Sequence, residues 1–401
     1  MANPAAKKNA KIRAALLGSR GVPAKYGAFE TLAHRIATLG GQENIKWVIY
    51  CPAENNPPKH YGLATTVLIR RGKGPIASFL YELGSLWHAC RDRSIDAIVM
   101  LGYGPGLFLI LPRLFNKKLI TNTDGFEYRR SKWPAWAKLY LRSAEFFAAY
   151  LSDKLICDSR HIVNHYREKY KKESTFIAYG TDIPEGLEDK TLQSKFNQFL
   201  SQYNLRSAGY HVVVMRLEPE NSIKEICEAG VRRESGKPIL IIGPSTPFFD
   251  KEVRPLLPTN SKVIVAGGIY DRGLLYLLRQ NACSYIHGHT VGGINPTLVE
   301  ALNTGTPVIA QKTLFNEEVL QEAGLYFTDT DSLCRHLDFL ENASPETWLH
   351  LAAQVKTKLQ PYLTWEFIIQ EYENLVNNAL KESNLAFPVP LPLLKGPHTD
   401  F

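Results

Sequence analysis

Residues 287–302, HGHTVGGINPTLVEAL, place His287, His289 and the pair Gly292–Gly293 directly ahead of a predicted helix. Asn295 is a good N-cap and Pro296 a favoured first helical residue, while the two glycines free the backbone to approach a ligand. A helix start with uncovered N–H groups is an anion site. Arg216 ends a predicted strand, YHVVVMR, where an open α/β sheet forms its ligand crevice, and a guanidinium forks onto phosphate oxygens. Glu300, about one helical turn beyond the start, is spaced to accept hydrogen bonds from sugar hydroxyls.

Two stretches of the first half also gather reactive groups. LGSRGVPAKYGAFETL (17–32) reads as strand, glycine-rich loop and helix, with Arg20 and Lys25 adding positive charge. It lacks the G-x-G-x-x-G spacing of a dinucleotide site, and Glu54 falls past Pro52 in a loop. TDGFEYRRSKWPAW (123–136) opens after a strand and groups Asp124, Glu127, Arg129, Arg130, Lys132, Trp133 and Trp136. Carboxylates beside cations and indole rings suit a sugar or phosphate acceptor near a membrane surface. Burial of Asp124 against Arg129 or Arg130 would keep it ionised and able to act as a base.

Metal, acyl and ATP chemistry are not expected. His287 and His289 have no third ligand at short spacing. Asp329-Thr330-Asp331 has a D-x-D spacing, but it lies between a strand and a helix, where Asp329 reads as a cap. Neither a P-loop nor a G-x-S-x-G pattern occurs.

These groups need a scaffold. The 401 residues exceed one ordinary core and predict two domains, and 45% hydrophobic with 21% charged residues makes them globular. A net charge of +8 favours anionic partners, and no nucleic-acid-reading module appears, which leaves phosphorylated ligands and an acidic membrane surface. The six cysteines form no C-x-x-C pair, which argues against a zinc ribbon or a disulfide framework and for a reducing cytoplasm. Residues 1–11 carry lysines without the apolar core of a signal peptide, and the apolar run 97–112 is too short and too interrupted to span a bilayer.

Strand-length apolar runs alternate with helical patterns: strands at 12–18, 46–51, 96–101, 118–124, 153–159 and 174–180, with helices near 29–39, 76–91, 135–151 and 160–170. After a polar stretch, 181–204, the rhythm restarts with strands at 210–216, 238–243, 262–268, 283–288 and 306–310. Near-continuous Val/Ile/Leu strands suit parallel sheets covered on both faces. The predicted division is 1–180, 181–363, a helix over 364–384 that packs back on the first domain, and a proline-rich tail, 385–401.

LGSRGVPAKYGAFETLAHRIA, TDGFEYRRSKW, DSRHIVNHYREKY, MRLEPENSIKEICEA and HGHTVGGINPTLVEALNTGTPVIA, in that order over residues 12–325, resemble bacterial rhamnosyltransferases, retaining glycosyltransferases of family 4 type. The resemblance implies the α/β GT-B fold, two facing Rossmann-like domains with parallel sheets. The C-terminal domain would hold a nucleotide-sugar, usually dTDP-L-rhamnose, and the N-terminal domain the acceptor, with no divalent metal or other cofactor. On the donor side it implies Arg216 and the amides of Gly292, Gly293, Ile294 and Asn295 around the diphosphate, Glu300 at the ribose, and the backbone near Ile269 and Tyr270 at the base, with Gly243 also in the donor site. Arg20, Gly21, Tyr26, Gly27, Glu30, Glu127, Arg129, Arg130 and Trp133 would face the acceptor.

Asp124 stands where many relatives place a histidine, and with His289 and Arg216 it makes up the expected catalytic group. Gly292 replaces the first glutamate of a Glu-x7-Glu pair and Asn221 replaces a lysine, for which Lys224, one turn on, is the expected substitute; Ala28 stands where the subgroup has glycine. The expected activity is rhamnosyl transfer to a lipid-diphosphate-linked sugar at the cytoplasmic face of the plasma membrane, in surface polysaccharide synthesis. The alternatives are a UDP- or GDP-sugar donor, or a nucleotide-sugar-binding protein without turnover.

Overall fold

The computed structural model describes residues 11–24, 27–41, 44–72, 76–130, 133–233, 235–259, 261–359 and 361–382; Lys25, Tyr26, Lys132 and the proline-rich tail lie outside them. The first sheet contains β1 (Ile12–Leu17), β2 (Ile45–Pro52), β3 (His60–Tyr61), β4 (Ala64–Ile69), β5 (Ala97–Leu101), β6 (Lys118–Asn122), β7 (Lys154–Cys157) and β8 (Thr175–Phe176). Their spatial order is β3-β4-β2-β1-β5-β6-β7-β8, parallel except for the β3–β4 pair. The second sheet contains β9 (His211–Val214), β10 (Ile239–Ile242), β11 (Val263–Gly267), β12 (Ser284–His287), β13 (Val308–Gln311) and β14 (Gly324–Phe327). It is parallel in the order β11-β10-β9-β12-β13-β14.

Every residue of β5 and β10 is buried, because helices cover both faces of each sheet. The predicted helices form as Ala28–Leu39, Ala77–Arg91, Ala135–Leu151, Arg160–Tyr170 and Pro296–Thr304. β3 and β4 were not anticipated: ATTVLI, next to the two-residue edge strand β3, buries only Ala64 and Thr66, and its threonines blur the apolar run. Strand-length expectations also shorten at 174–180, where only Thr175–Phe176 pairs.

In each sheet one strand marks a reversal of strand order: β1 lies between β2 and β5, and β9 between β10 and β12. Loops leaving the carboxyl ends of neighbouring strands diverge there and leave a crevice. The two crevices face each other. They are braced by Glu318, which accepts from Ser159 Oγ (2.6 Å) and Arg160 N (2.8 Å), and by Asp182, which pairs with both Arg35 and Arg272.

The helix Trp365–Lys381 packs back on the first domain. It buries Trp365, Ile368, Ile369, Tyr372, Glu373, Val376 and Ala379, a helical period. Asn122 Nδ2 donates to Tyr372 Oη (2.6 Å), and Trp47 Nε1 and Gly41 N donate to Glu373 Oε1. Gly180 admits the Trp365 ring, which a Cβ there would strike.

Candidate functional site between the two domains

The facing crevices merge into a cleft of about 1030 Å³. On its C-terminal wall, Asn295 Oδ1 accepts from Thr297 N (3.0 Å) and caps the helix Pro296–Thr304, which Gly305 ends at a φ of 66°. Gly292, Gly293, Ile294 and Asn295 line the cleft just ahead of that helix start, so the positive end of its dipole lies beside the space, while Asn295 itself takes the amides of Thr297, Leu298 and Val299. Gly292 adopts a φ of 127°, which a side chain would strain. Arg216, two residues past the end of β9, lines the same wall, as do Gly243, Ile269, Tyr270 and Glu300.

His287 and His289 stack at 4.5 Å, and only His289 lines the cleft. Burial, then Arg216 and Arg130, pushes His289 down to about 3, and burial holds His287 well below its ordinary value. Both imidazoles are therefore neutral at physiological pH. His289 Nδ1 is enclosed without a hydrogen-bond partner among the described residues, so it can meet a ligand as a donor or acceptor.

The N-terminal wall is richer in acids than the sequence suggested. Arg20, Gly27, Glu30, Asp124, Glu127, Arg130 and Trp133 line it. Glu127 accepts from Trp133 Nε1 (3.0 Å) and pairs with Arg130 Nε (2.6 Å), and Arg130 also reaches Glu220 of the other domain at 4.0 Å. Arg20 N donates to Glu30 Oε1.

Three of the expected residues lie away from the cleft or face solvent. Gly21 does not line the cleft: its φ of 77° and its contact with Cys51, which a Cβ would strike, make it a loop residue packed under β2. Arg129 is exposed, its guanidinium laid over the Phe126 ring at 4.5 Å, outside the cleft. Lys224 is exposed on the helix Ile223–Arg232, because Ile223, Ile226 and Cys227 take the buried face and turn it outward. Asn221 supplies no charge in place of the absent lysine; its Nδ2 donates to Arg216 O (2.7 Å) and ties the loop that presents Arg216. Arg129 is thus no partner of Asp124, and Tyr26 lies outside the described residues.

The fold adds groups that sequence reasoning missed. Asp158, after β7, lines the cleft beside Asp124, and burial, Asp124 and Glu318 hold its carboxyl up at about 8. It falls inside the predicted strand 153–159, which ends at Cys157 in the structure, and an acid at the carboxyl end of that run was the available signal. Glu82 lines the N-terminal wall, held up to about 7 by burial, and Gly104 makes room for it. Arg279, 3% exposed, donates to Glu300 Oε2 (2.8 Å) and fixes that carboxylate in the cleft. Nothing in RGLLYLLRQ marks that arginine as buried. Asp329 is a helix cap, accepting from Ser332 N in a capping box, and the six cysteines are free.

Residues 12–182 match a family model described as a domain of unknown function, DUF1972. No curated protein matches the chain. Among solved structures, the sucrose-phosphate synthase of Thermosynechococcus elongatus is similar at 17% identity and a TM-score of 0.72, over 92% of this chain and 99% of that one. Anabaena HepE in complex with UDP aligns at 14% identity and a TM-score of 0.68, over 92% of this chain and 100% of that one. The UDP-forming α,α-trehalose-phosphate synthase of Burkholderia xenovorans, in complex with glucose-6-phosphate, aligns at 12% identity and a TM-score of 0.70, over 91% and 100%. Likeness over nine-tenths of the chain, in both sheets and their facing arrangement, identifies the architecture: this chain has the GT-B fold.

Proposed function

We propose that the protein is a glycosyltransferase that moves a sugar from a nucleotide-sugar, dTDP-L-rhamnose in preference to a UDP- or GDP-sugar, onto a lipid-diphosphate-linked sugar acceptor. The observation that carries the reading is the convergence of Arg216 and the Gly292–Asn295 backbone on one wall of the cleft, with carboxyls on the other. Breaking a glycosyl–phosphate bond builds negative charge on the diphosphate and positive charge on the ring. A guanidinium and fixed amides stabilise the first without reorganising, and this kind of preorganisation is typically the largest catalytic contribution. The acceptor hydroxyl attacks the anomeric carbon from the face the diphosphate leaves, its proton passes to a diphosphate oxygen, and configuration is retained. Asp124 and neutral His289 contact the sugar; Glu300, held by Arg279, takes the ribose. The chemistry calls for no cofactor or metal.

The acceptor side of the reading rests on the surface beside the cleft. On the helix Ala135–Leu151, Trp136 is 74% and Leu139 67% exposed, next to the exposed Arg142. Indole and leucine beside a cation suit a peripheral contact with the anionic inner face of the plasma membrane, where a lipid-linked acceptor resides. Among the described residues no helix is long and apolar enough to cross a membrane.

A second reading, nucleotide-sugar binding without turnover, is favoured by Gly292 and by Asn221, which leave the site one carboxylate and one cation short of the Glu-x7-Glu and lysine pattern. Incubation of the protein with dTDP-L-rhamnose and a lipid-diphosphate-linked sugar, with UDP- and GDP-sugars in parallel, separates the readings. Release of dTDP with glycosylated lipid is the expected result. Tight binding without product selects the second reading, and turnover only with UDP- or GDP-sugars overturns the rhamnosyl assignment.

A further inference from the structure

Asp158 belongs to no role assigned so far, and its surroundings are unusual for a structural acid. It follows β7, lines the cleft, and reaches across to the opposite domain, where a Cβ on Gly293 would strike its Oδ1. The neighbouring contact has the same character: a Cβ on Gly125 would collide with Gly292 and Gly293. Side-chain-free residues on both sides thus let the two domains close until the carboxyl rests against the Gly292–Gly293 backbone. Its Oδ1 is enclosed yet has no hydrogen-bond partner among the described residues. An enclosed oxygen without a partner destabilises a fold, so one kept beside a cleft calls for a partner from outside the chain, a ligand group or a water.

The loop that Asp158 touches offers little to a sugar on its own. Gly292 and Gly293 have no side chains and Ile294 is apolar, so a glycosyl ring joined to a diphosphate there meets backbone N–H and C=O groups and no polar side chain of the loop. Ring hydroxyls buried in the cleft need acceptors. We propose that Asp158 is a donor-contacting residue whose carboxyl hydrogen-bonds a hydroxyl of the transferred sugar, supplying from the N-terminal domain a polar side chain that the Gly292–Gly293 loop lacks. This rests on the nucleotide-sugar reading above and deepens it.

The diphosphate itself is the poorer partner. Asp124 and Glu318 crowd the same carboxyl, and an ionised Asp158 beside a diphosphate would add a third repulsion. A hydroxyl accommodates either state, since a neutral carboxyl accepts through its carbonyl oxygen and donates through its O–H. Bracing of the domains does not require Asp158 either, because Glu318 and Asp182 already bridge them.

The test is calorimetric titration of the full chain and of its Asp158→Ala and Asp158→Asn variants with dTDP, dTDP-L-rhamnose, UDP and UDP-glucose. For whichever pair the wild type binds, the ratio of nucleotide-sugar to nucleotide affinity is expected to fall about tenfold in Asp158→Ala, with nucleotide affinity itself within about twofold. Asp158→Asn, which keeps the shape and one acceptor, retains part of that ratio and secures the result if the alanine variant folds poorly. An unchanged ratio, or equal loss for nucleotide and nucleotide-sugar, overturns the assignment while leaving the nucleotide-sugar reading intact. A wild type that binds none of the four ligands, nor GDP or a GDP-sugar titrated in the same way, sinks that reading, and this assignment with it.

Discussion

Replacing Asp158 by asparagine is expected to reshape stability against pH, without any ligand. Burial first, then Asp124 and Glu318, raises the carboxyl from 3.8 to about 8. The folded value lies above the unfolded one, so within that window the folded chain holds a proton that the unfolded chain has released. Stability then falls as pH rises, by about 1.4 kcal/mol per pH unit, and levels off above the folded value. From about pH 5 to about pH 8 the wild type loses up to about 4 kcal/mol by this route. Parting of the domains wets the carboxyl before the whole loss accrues, which brings the expected figure to about 1–3 kcal/mol.

Asp158→Asn has no such titration. Its stability relative to wild type should therefore climb by that amount between about pH 5 and about pH 8 and then stay level. Glu82, held up to about 7, and the depressed His289 remain in both chains and cancel in the difference. Urea unfolding followed by circular dichroism at half-unit pH steps gives the curve. A difference flat across the window, or falling with pH, refutes the burial of this carboxyl against Gly293.

Arg216→Met should weaken binding of the nucleotide diphosphate about 10- to 100-fold, the value of one charge-assisted contact, with little change in melting temperature; titration of dTDP and UDP checks it. Glu373→Ala removes the acceptor shared by Trp47 Nε1 and Gly41 N and should cost on the order of 2–4 kcal/mol in urea unfolding, showing that the C-terminal helix is integral to the first domain. Exchange of both Trp136 and Leu139 for serine should lower sedimentation with vesicles of phosphatidylglycerol severalfold while leaving nucleotide affinity unchanged; equal sedimentation of variant and parent removes the membrane contact.

The amino-acid order by itself determined the βαβ rhythm, the restart at 210–216 and the capped helix start at Asn295, each written within a few neighbouring residues. Periodicity and capping are local: Asn295 needs only Thr297 two residues on, and Gly305 only its own freedom at positive φ. The strand Ala64–Ile69, next to the sheet edge, escaped because half-buried alternation with threonines carries a weak signal. Which charged residues entered the cleft was decided by tertiary packing. Arg129 and Arg130 are adjacent, yet one stacks on Phe126 outside and the other joins Glu127 and Glu220 inside. Arg279 meets Glu300, and Asp158 meets Gly293, only because separate helices and separate domains converge. No local pattern encodes such meetings, since they depend on how two sheets fold and where the closed cleft brings their carboxyl ends together.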